Sequence, residues 1–422
     1  MVFSLVTKSR QEKTRSFIHV AALIVFVLLL ATSLIQWSFR WYGLALLLVV
    51  GAFFGIRTLF SNRQAAKEFN ARGVVLRTIM ASLLILLAML PVLFFPQYKL
   101  PDVTGPYTVA EVQHTYTDES RTETYADSGE ARKVNVAFWY PQDAESVHPL
   151  VIFSHGSIGI VTSNEFLYRE LASHGYVVAS LGHPYHSLWT KNADGRITFL
   201  NMDFFQEVGR ENPRIDKAQS YALYQKWMRV RMGDFDFVLD TLLRQAEGGA
   251  PGVYSLVDVE RIGVMGHSLG GSAALGVGRE RDDVDAVIAL EAPLMFDIVG
   301  VENDEFVLTR DVYPVPALNI YSDSSWEHLS EWTQYAANYA LLSDTRATAF
   351  NVHISGLNHL ALTDLSLASP FFTRLLDNAK LTRDSVEGLR IINEVSLAFF
   401  DTYLKGQGEF TSGDYQAMPA DN

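Results

Sequence analysis

The chain of 422 residues has no cysteine, which excludes disulfide bonds and thiol chemistry and carries no information about compartment. Charge is nearly absent from three stretches, Phe17 to Gln36, Trp41 to Ile56 and Thr78 to Phe95. A helix needs about 20 apolar residues to cross a bilayer core, or slightly fewer when flanking Arg or Lys side chains reach the interface. The second run is short but is bracketed by Arg40 and Arg57, and no small-x-small cleavage site closes the first. The expectation is three membrane helices, at about 17–36, 41–56 and 78–95.

Basic residues are scarce beyond that region. Residues 1–100 hold 11 Lys+Arg and 2 Asp+Glu, against 23 and 45 in the rest, a net charge of −22 for the remainder. So acidic a portion excludes the usual basic footprint of nucleic-acid binding and adhesion to an anionic membrane surface. Within the anchor, Lys8, Arg10, Lys13 and Arg15 precede the first run, and Arg57, Arg63, Lys67, Arg72 and Arg77 separate the second from the third, whereas the first connection holds only Arg40. The positive-inside rule then predicts an N-terminus and second loop in the cytoplasm and an extracytoplasmic domain after Phe95. The domain division expected is a membrane anchor over 1–100 and a catalytic domain over 101–422, joined by a segment containing Pro91, Pro96, Pro101 and Pro106.

Beyond the linker, β-rich runs at 134–141, 149–156, 176–183, 261–268, 284–292, 316–323 and 350–356 alternate with helical patterns. Several are continuously apolar, as strands covered on both faces are, which predicts a mostly parallel sheet with helices on both faces. One long helix over 217–246 places Met228, Met232, Phe235, Leu239 and Leu242 on a single apolar face suited to core packing. The segment 184–216 is longer than a connection needs and reads equally as a lid over a site or as a surface excursion. There is no internal repeat and no low-complexity tract.

The segment "VMGHSLGG" (264–271) has the form Gly-x-Ser-x-Gly between a strand and a helix. A sharp strand-to-helix turn needs flanking glycines, and it exposes the serine at a helix N-terminus that favours developing negative charge. Ser268 is thus the candidate nucleophile. A serine hydroxyl requires a base, and the base an orienting carboxylate, in the chain order Ser, acid, His for this architecture. Only His328, His353 and His359 follow Ser268. His353 falls in a strand and His328 in a charged helical stretch, so His359, in the loop "SGLNHLALTD", is the candidate base. Glu291 and Asp323 each end a strand and are both open as the acid. The backbone N–H groups of Leu269 and Ser157, the latter after "FSHG", are the candidate oxyanion donors.

Taken together, "VIFSHGSIG", "RVRMGDFDFVLDTLL", "SLVDVERIGVMGHSLGG", "ALEAPLMF" and "ISGLNHLALTDLS" resemble the plasma-type platelet-activating factor acetylhydrolases within the α/β-hydrolase superfamily, over most of residues 130–370. The resemblance implies an α/β-hydrolase fold, ester hydrolysis through an acyl-enzyme, no metal or organic cofactor, and a lipid or small ester as substrate. In that family the acid is an Asp in a segment similar to "LEAPLMF", which favours Glu291, one methylene longer, and leaves Asp323 in reserve. The three membrane helices are not part of the familiar enzymes. A serine peptidase or an esterase of cell-envelope polymers would share the chemistry, and a silent binding protein would share the fold.

Overall fold

The structure is a computed structural model and describes all residues except Met1, Arg10, 62–68, Asp127, 379–380 and 416–422. Arg10, Arg63 and Lys67, which enter the charge balance of the membrane loops, lie outside the described residues. The chain forms two compact units, Met1–Lys99 with Ala368–Phe372, and Leu100–Leu367 with Thr373–Asn422.

The first unit is helical, with α1 (Val2–Val6), α2 (Glu12–Ala31), α3 (Tyr42–Phe60) and α4 (Ala71–Phe94). Among the described residues, three of its helices are long and apolar enough to cross a membrane. Their bounds differ from the apolar runs for physical reasons. Hydropathy marks the lipid-soluble stretch, whereas the helix continues into charged sequence until a cap stops it. Thus α4 starts seven residues before the apolar run, where the Asn70 side chain accepts a hydrogen bond from the Gly73 N–H at 3.1 Å. Helix α2 ends at Ala31, before a left-handed Ser33. Large apolar side chains such as Phe53, Leu46 and Leu86 face outward, the arrangement expected when the solvent is lipid. Arg40, alone on the first connection, is buried and donates to the Phe95 carbonyl just past α4.

The second unit is built on an eight-stranded sheet. Its strands are β1 (Val109–Thr122), β2 (Ala131–Pro141), β3 (His148–Ser154), β4 (Val177–Gly182), β7 (Val257–His267), β8 (Ala286–Leu290), β11 (Ala317–Tyr321) and β12 (Ala349–His353), ordered β1-β2-β4-β3-β7-β8-β11-β12. Two hairpins, β5–β6 (Trp189–Lys191, Ile197–Phe199) and β9–β10 (Ile298–Glu302, Glu305–Leu308), stand outside it. The strands from β4 to β12 are parallel, and β1 and β2 are antiparallel additions at one edge. Strand β1 was not among the strands expected from sequence. It carries "VAEVQHTYTDESRT", an alternating, half-exposed edge sequence without a continuous apolar run.

Strand residues alternate between two cores. Leu150 and Ile152 of β3 face one, together with α7 (Lys217–Glu247), α8 (Leu269–Glu280) and α9 (Ala336–Ser343). Val151 and Phe153 face the other, with α5 (Glu165–Ser173) and α12 (Ser385–Lys405). Met228, Met232, Phe235, Leu239 and Leu242 of α7 are all buried in the first core, which is the role their spacing predicts. Further helices among the described residues are α6 (Met202–Arg210), α10 (Leu365–Ala368) and α11 (Pro370–Asp377). The parallel strands deliver β3, β7, β8, β11 and β12 with their carboxyl ends on one edge, where loops converge on a common site.

Candidate active site

Ser268 lies between β7 and α8 with φ 53° and ψ −125°, a left-handed backbone that is costly for any residue but glycine. The turn is feasible because its flanks have no side chains. A Cβ on Gly270 would stand 2.0 Å from the Ser154 carbonyl oxygen, and one on Gly266 would stand 2.4 Å from the Gly270 backbone. The strained turn and the adjacent end of β3 are thus packed backbone to backbone. The Ser268 hydroxyl has no hydrogen-bond partner among the described residues and is partly exposed.

Glu291 follows β8 and also has a left-handed backbone, with φ 45°. Its carboxylate is buried, accepts from the Ser322 N–H at 2.9 Å and lies 3.5 Å from Nδ1 of His359, in the turn after β12. The contact is of ion-pair length, longer than a tight N–H···O bond. Burial disfavours the imidazolium, but the hydrogen bond and charge of Glu291, with Asp377 adding to them, outweigh it and hold the His359 pKa above its ordinary 6.5. Burial likewise opposes the Glu291 carboxylate, and His359 and Ser322 more than offset it, holding this acid below its usual range.

Asp323 faces elsewhere. Its two oxygens accept from His353 Nε2 and from the Gly356 N–H, each at 2.8 Å, so it braces the loop that carries His359 rather than the imidazole itself. His328 pairs with Glu331 on the surface. His359 is held by its backbone, whose N–H donates to Ser324 Oγ at 3.0 Å and whose carbonyl meets Nε2 of His267, the residue before the nucleophile, at 3.0 Å.

The loop after β3 completes the site. A Cβ on Gly156 would come within 3.2 Å of Ser268 Cβ, so this loop touches the nucleophile turn directly. The N–H groups of Ser157 and Leu269 have no acceptor among the described residues. Segment 184–216, as the β5–β6 hairpin and α6, docks on the same loop through Ile158 N–H to His186 O and Leu188 N–H to Ile158 O.

A hydrogen-bonded serine–histidine–aspartate string, distinct from Ser268, Glu291 and His359, is not singled out by the sequence. Ser154 Oγ is 2.8 Å from His183 Nε2, and His183 Nδ1 is 2.8 Å from Asp234 Oδ2. All three residues are fully buried, so no substrate reaches Ser154. Burial first, then the charge of Arg231, pushes His183 down to about 3, which keeps the ring neutral. No local motif marks these residues: Ser154 and His183 close apolar strands, and Asp234 interrupts the helix stripe.

The sequence profile described as platelet-activating factor acetylhydrolase, isoform II, matches residues 135–194 and 253–422, more than half of the chain. The platelet-activating factor acetylhydrolase of Bos taurus is 25% identical over 291 residues, covering 63% of this chain and 60% of that protein. A probable 1-alkyl-2-acetylglycerophosphocholine esterase of Arthroderma benhamiae is 27% identical over 43% of this chain and 41% of its own length. The chain therefore spans about three fifths or less of these relatives. Among solved structures, a ferulic acid esterase from Streptomyces cinnamoneus superposes with a TM-score of 0.56 over 74% of this chain and 94% of its own, at 21% identity, a likeness of fold.

Proposed function

The chain belongs to the platelet-activating factor acetylhydrolase family of isoform II type, and from that membership we propose that it is a serine-dependent carboxylic ester hydrolase acting on short-acyl lipid or phospholipid esters. The observation that carries this reading is the buried Glu291 carboxylate against His359, whose carbonyl meets His267, the residue before the strained Ser268. Ser268 Oγ attacks the ester carbonyl while His359 takes its proton. The tetrahedral oxyanion is met by the N–H groups of Ser157 and Leu269. Collapse expels the alcohol, which receives the proton from His359 and leaves an acyl-serine. Water, deprotonated by His359, then releases the acid and restores Ser268. Glu291 orients the imidazole and stabilises its charged form. No step draws on a metal or organic cofactor.

The three apolar helices support an integral membrane protein, and a membrane anchor places the enzyme in the phase where lipid esters are concentrated. The basic residues flanking them support a catalytic domain on the extracytoplasmic side.

The test is hydrolysis of p-nitrophenyl acetate, butyrate, octanoate and palmitate by the full chain in detergent. The expected result is preference for the short chains, with a rate lowered by roughly 10⁴-fold or more in Ser268→Ala. Undiminished hydrolysis by that variant, shown to be folded, would overturn the assignment of the nucleophile. Ser268-dependent cleavage confined to peptide amides would overturn the substrate class.

A further inference from the structure

Arg231, on the buried face of α7, is fully buried, and its hydrogen-bond partners are all neutral. Nη1 donates to the His155 carbonyl at 2.8 Å and to Ser154 Oγ at 3.3 Å, Nη2 to the Gly156 carbonyl at 3.3 Å, and Nε to His186 Nδ1 at 3.2 Å. Among the described residues no carboxylate lies within ion-pair distance of it. Burying a cation without a direct counter-ion is strongly unfavourable, so this arrangement is not explained by packing alone.

The three backbone and side-chain oxygens that it grips belong to consecutive residues, 154 to 156, which lead into the Ser157 N–H. The peptide unit gives the consequence. In a planar trans peptide the C=O of one residue and the N–H of the next point in opposite directions. Holding the Gly156 oxygen on the α7 side therefore fixes where the Ser157 N–H is aimed. His155 takes part in the same grip: its Nδ1 lies 2.7 Å from the Gly156 carbonyl and its Nε2 2.8 Å from Ser187 Oγ. Burial, with the Arg231 charge next, keeps that ring neutral, and the carbonyl it faces requires the proton on Nδ1.

We propose that Arg231, seconded by His155, is a positioning residue for oxyanion stabilisation: it clamps the Gly156 carbonyl from behind and so presets the Ser157 N–H toward the developing charge. The Ser154–His183–Asp234 string anchors the same clamp, because Ser154 Oγ, which donates to the neutral His183, accepts from Arg231. The inference rests on the reading of Ser268 as the nucleophile.

Full-length protein in detergent carrying Arg231→Gln or Arg231→Lys is assayed on p-nitrophenyl butyrate, with rates expressed per Ser268 labelled by a fluorophosphonate. An aryl trifluoromethyl ketone, which forms a tetrahedral adduct, reports the oxyanion contact directly. The expected result is a kcat lowered by about 10²-fold in Arg231→Gln, a KM within about two-fold of wild type, and a ketone Ki raised by a similar factor to the kcat loss. A structural role alone would lower the melting temperature and the labelled fraction while leaving kcat and Ki per labelled site unchanged, and that outcome overturns the proposal. If both variants fail to fold, Ser187→Ala decides. Freeing the His155 ring lowers kcat by about 10-fold at constant KM if the clamp matters, and an unchanged kcat sinks it. Activity persisting in Ser268→Ala would overturn the nucleophile and this inference together, whereas its loss with intact Arg231 variants would overturn only the latter.

Discussion

Glu291 shows most clearly what one side chain decides. The proposed acid stands where the resembled enzymes have Asp, and the left-handed backbone at Glu291 together with its Ser322 partner brings the longer carboxylate to His359 at 3.5 Å. Because Glu291 raises the His359 pKa and the base acts when neutral, the acid limb of kcat/KM is expected above 6.5. Glu291→Gln removes that effect, so the limb moves to lower pH while kcat falls roughly 10²- to 10⁴-fold. A pH–rate profile of both proteins checks the shift, and a limb unmoved by the substitution would argue that Glu291 does not orient the base. The same pair has a stability signature. A raised histidine pKa stabilises the fold fully below the unfolded value and ceases to do so as pH rises through the folded one, so wild type loses this margin above 6.5 and Glu291→Gln does not.

Strands and helices differ in how much of themselves a sequence displays. The long α7 stripe and the continuously apolar parallel strands are legible because their periodicities are local. The edge strand β1 is hidden by its polar alternation, and the charged interior of α7 by its helical context. Asp234 on α7 takes a bidentate grip from Arg132, whose remaining nitrogen reaches Glu123, and Arg121 adds a further contact at 3.0 Å. Burial opposes the Asp234 charge, but Arg132 and His183 hold it well below the carboxylate range. Asp234→Ala leaves Arg132 buried and half-compensated, for which a loss of about 3–5 kcal/mol is expected in thermal or denaturant unfolding. A loss below about 1 kcal/mol would mean that the network contributes little to holding α7 on β2 and β4.

The entire chain combines an α/β unit that carries the candidate site with a unit made of helices suited to lipid. A reporter fused after Leu100 that is active only outside the cytoplasm is the expected outcome if the basic residues around the helices set the orientation. Activity of the same fusion confined to the cytoplasm would reverse it. Resistance to alkaline extraction from membranes is expected of the full chain, since three apolar helices are far costlier to remove than a peripheral contact.

Much of this was legible before folding, because it depends on residues near one another in the chain. The apolar runs, the strand-turn-helix around Ser268 and the α/β alternation are local patterns, and each has its counterpart in the fold, although the helices over the apolar runs begin and end at other residues. Which carboxylate meets which histidine is not local. Glu291 and Asp323 both end strands of the same sheet, and only the side-by-side placement of β8, β11 and β12 pairs the first with His359 and the second with His353. The Arg231 clamp and the Ser154–His183–Asp234 string join residues up to 80 positions apart by burying them behind one loop. The sequence by itself determined which chemical groups are present and in what order, and the tertiary structure decided which of them touch, because contact between strand ends is set by sheet order rather than by distance along the chain.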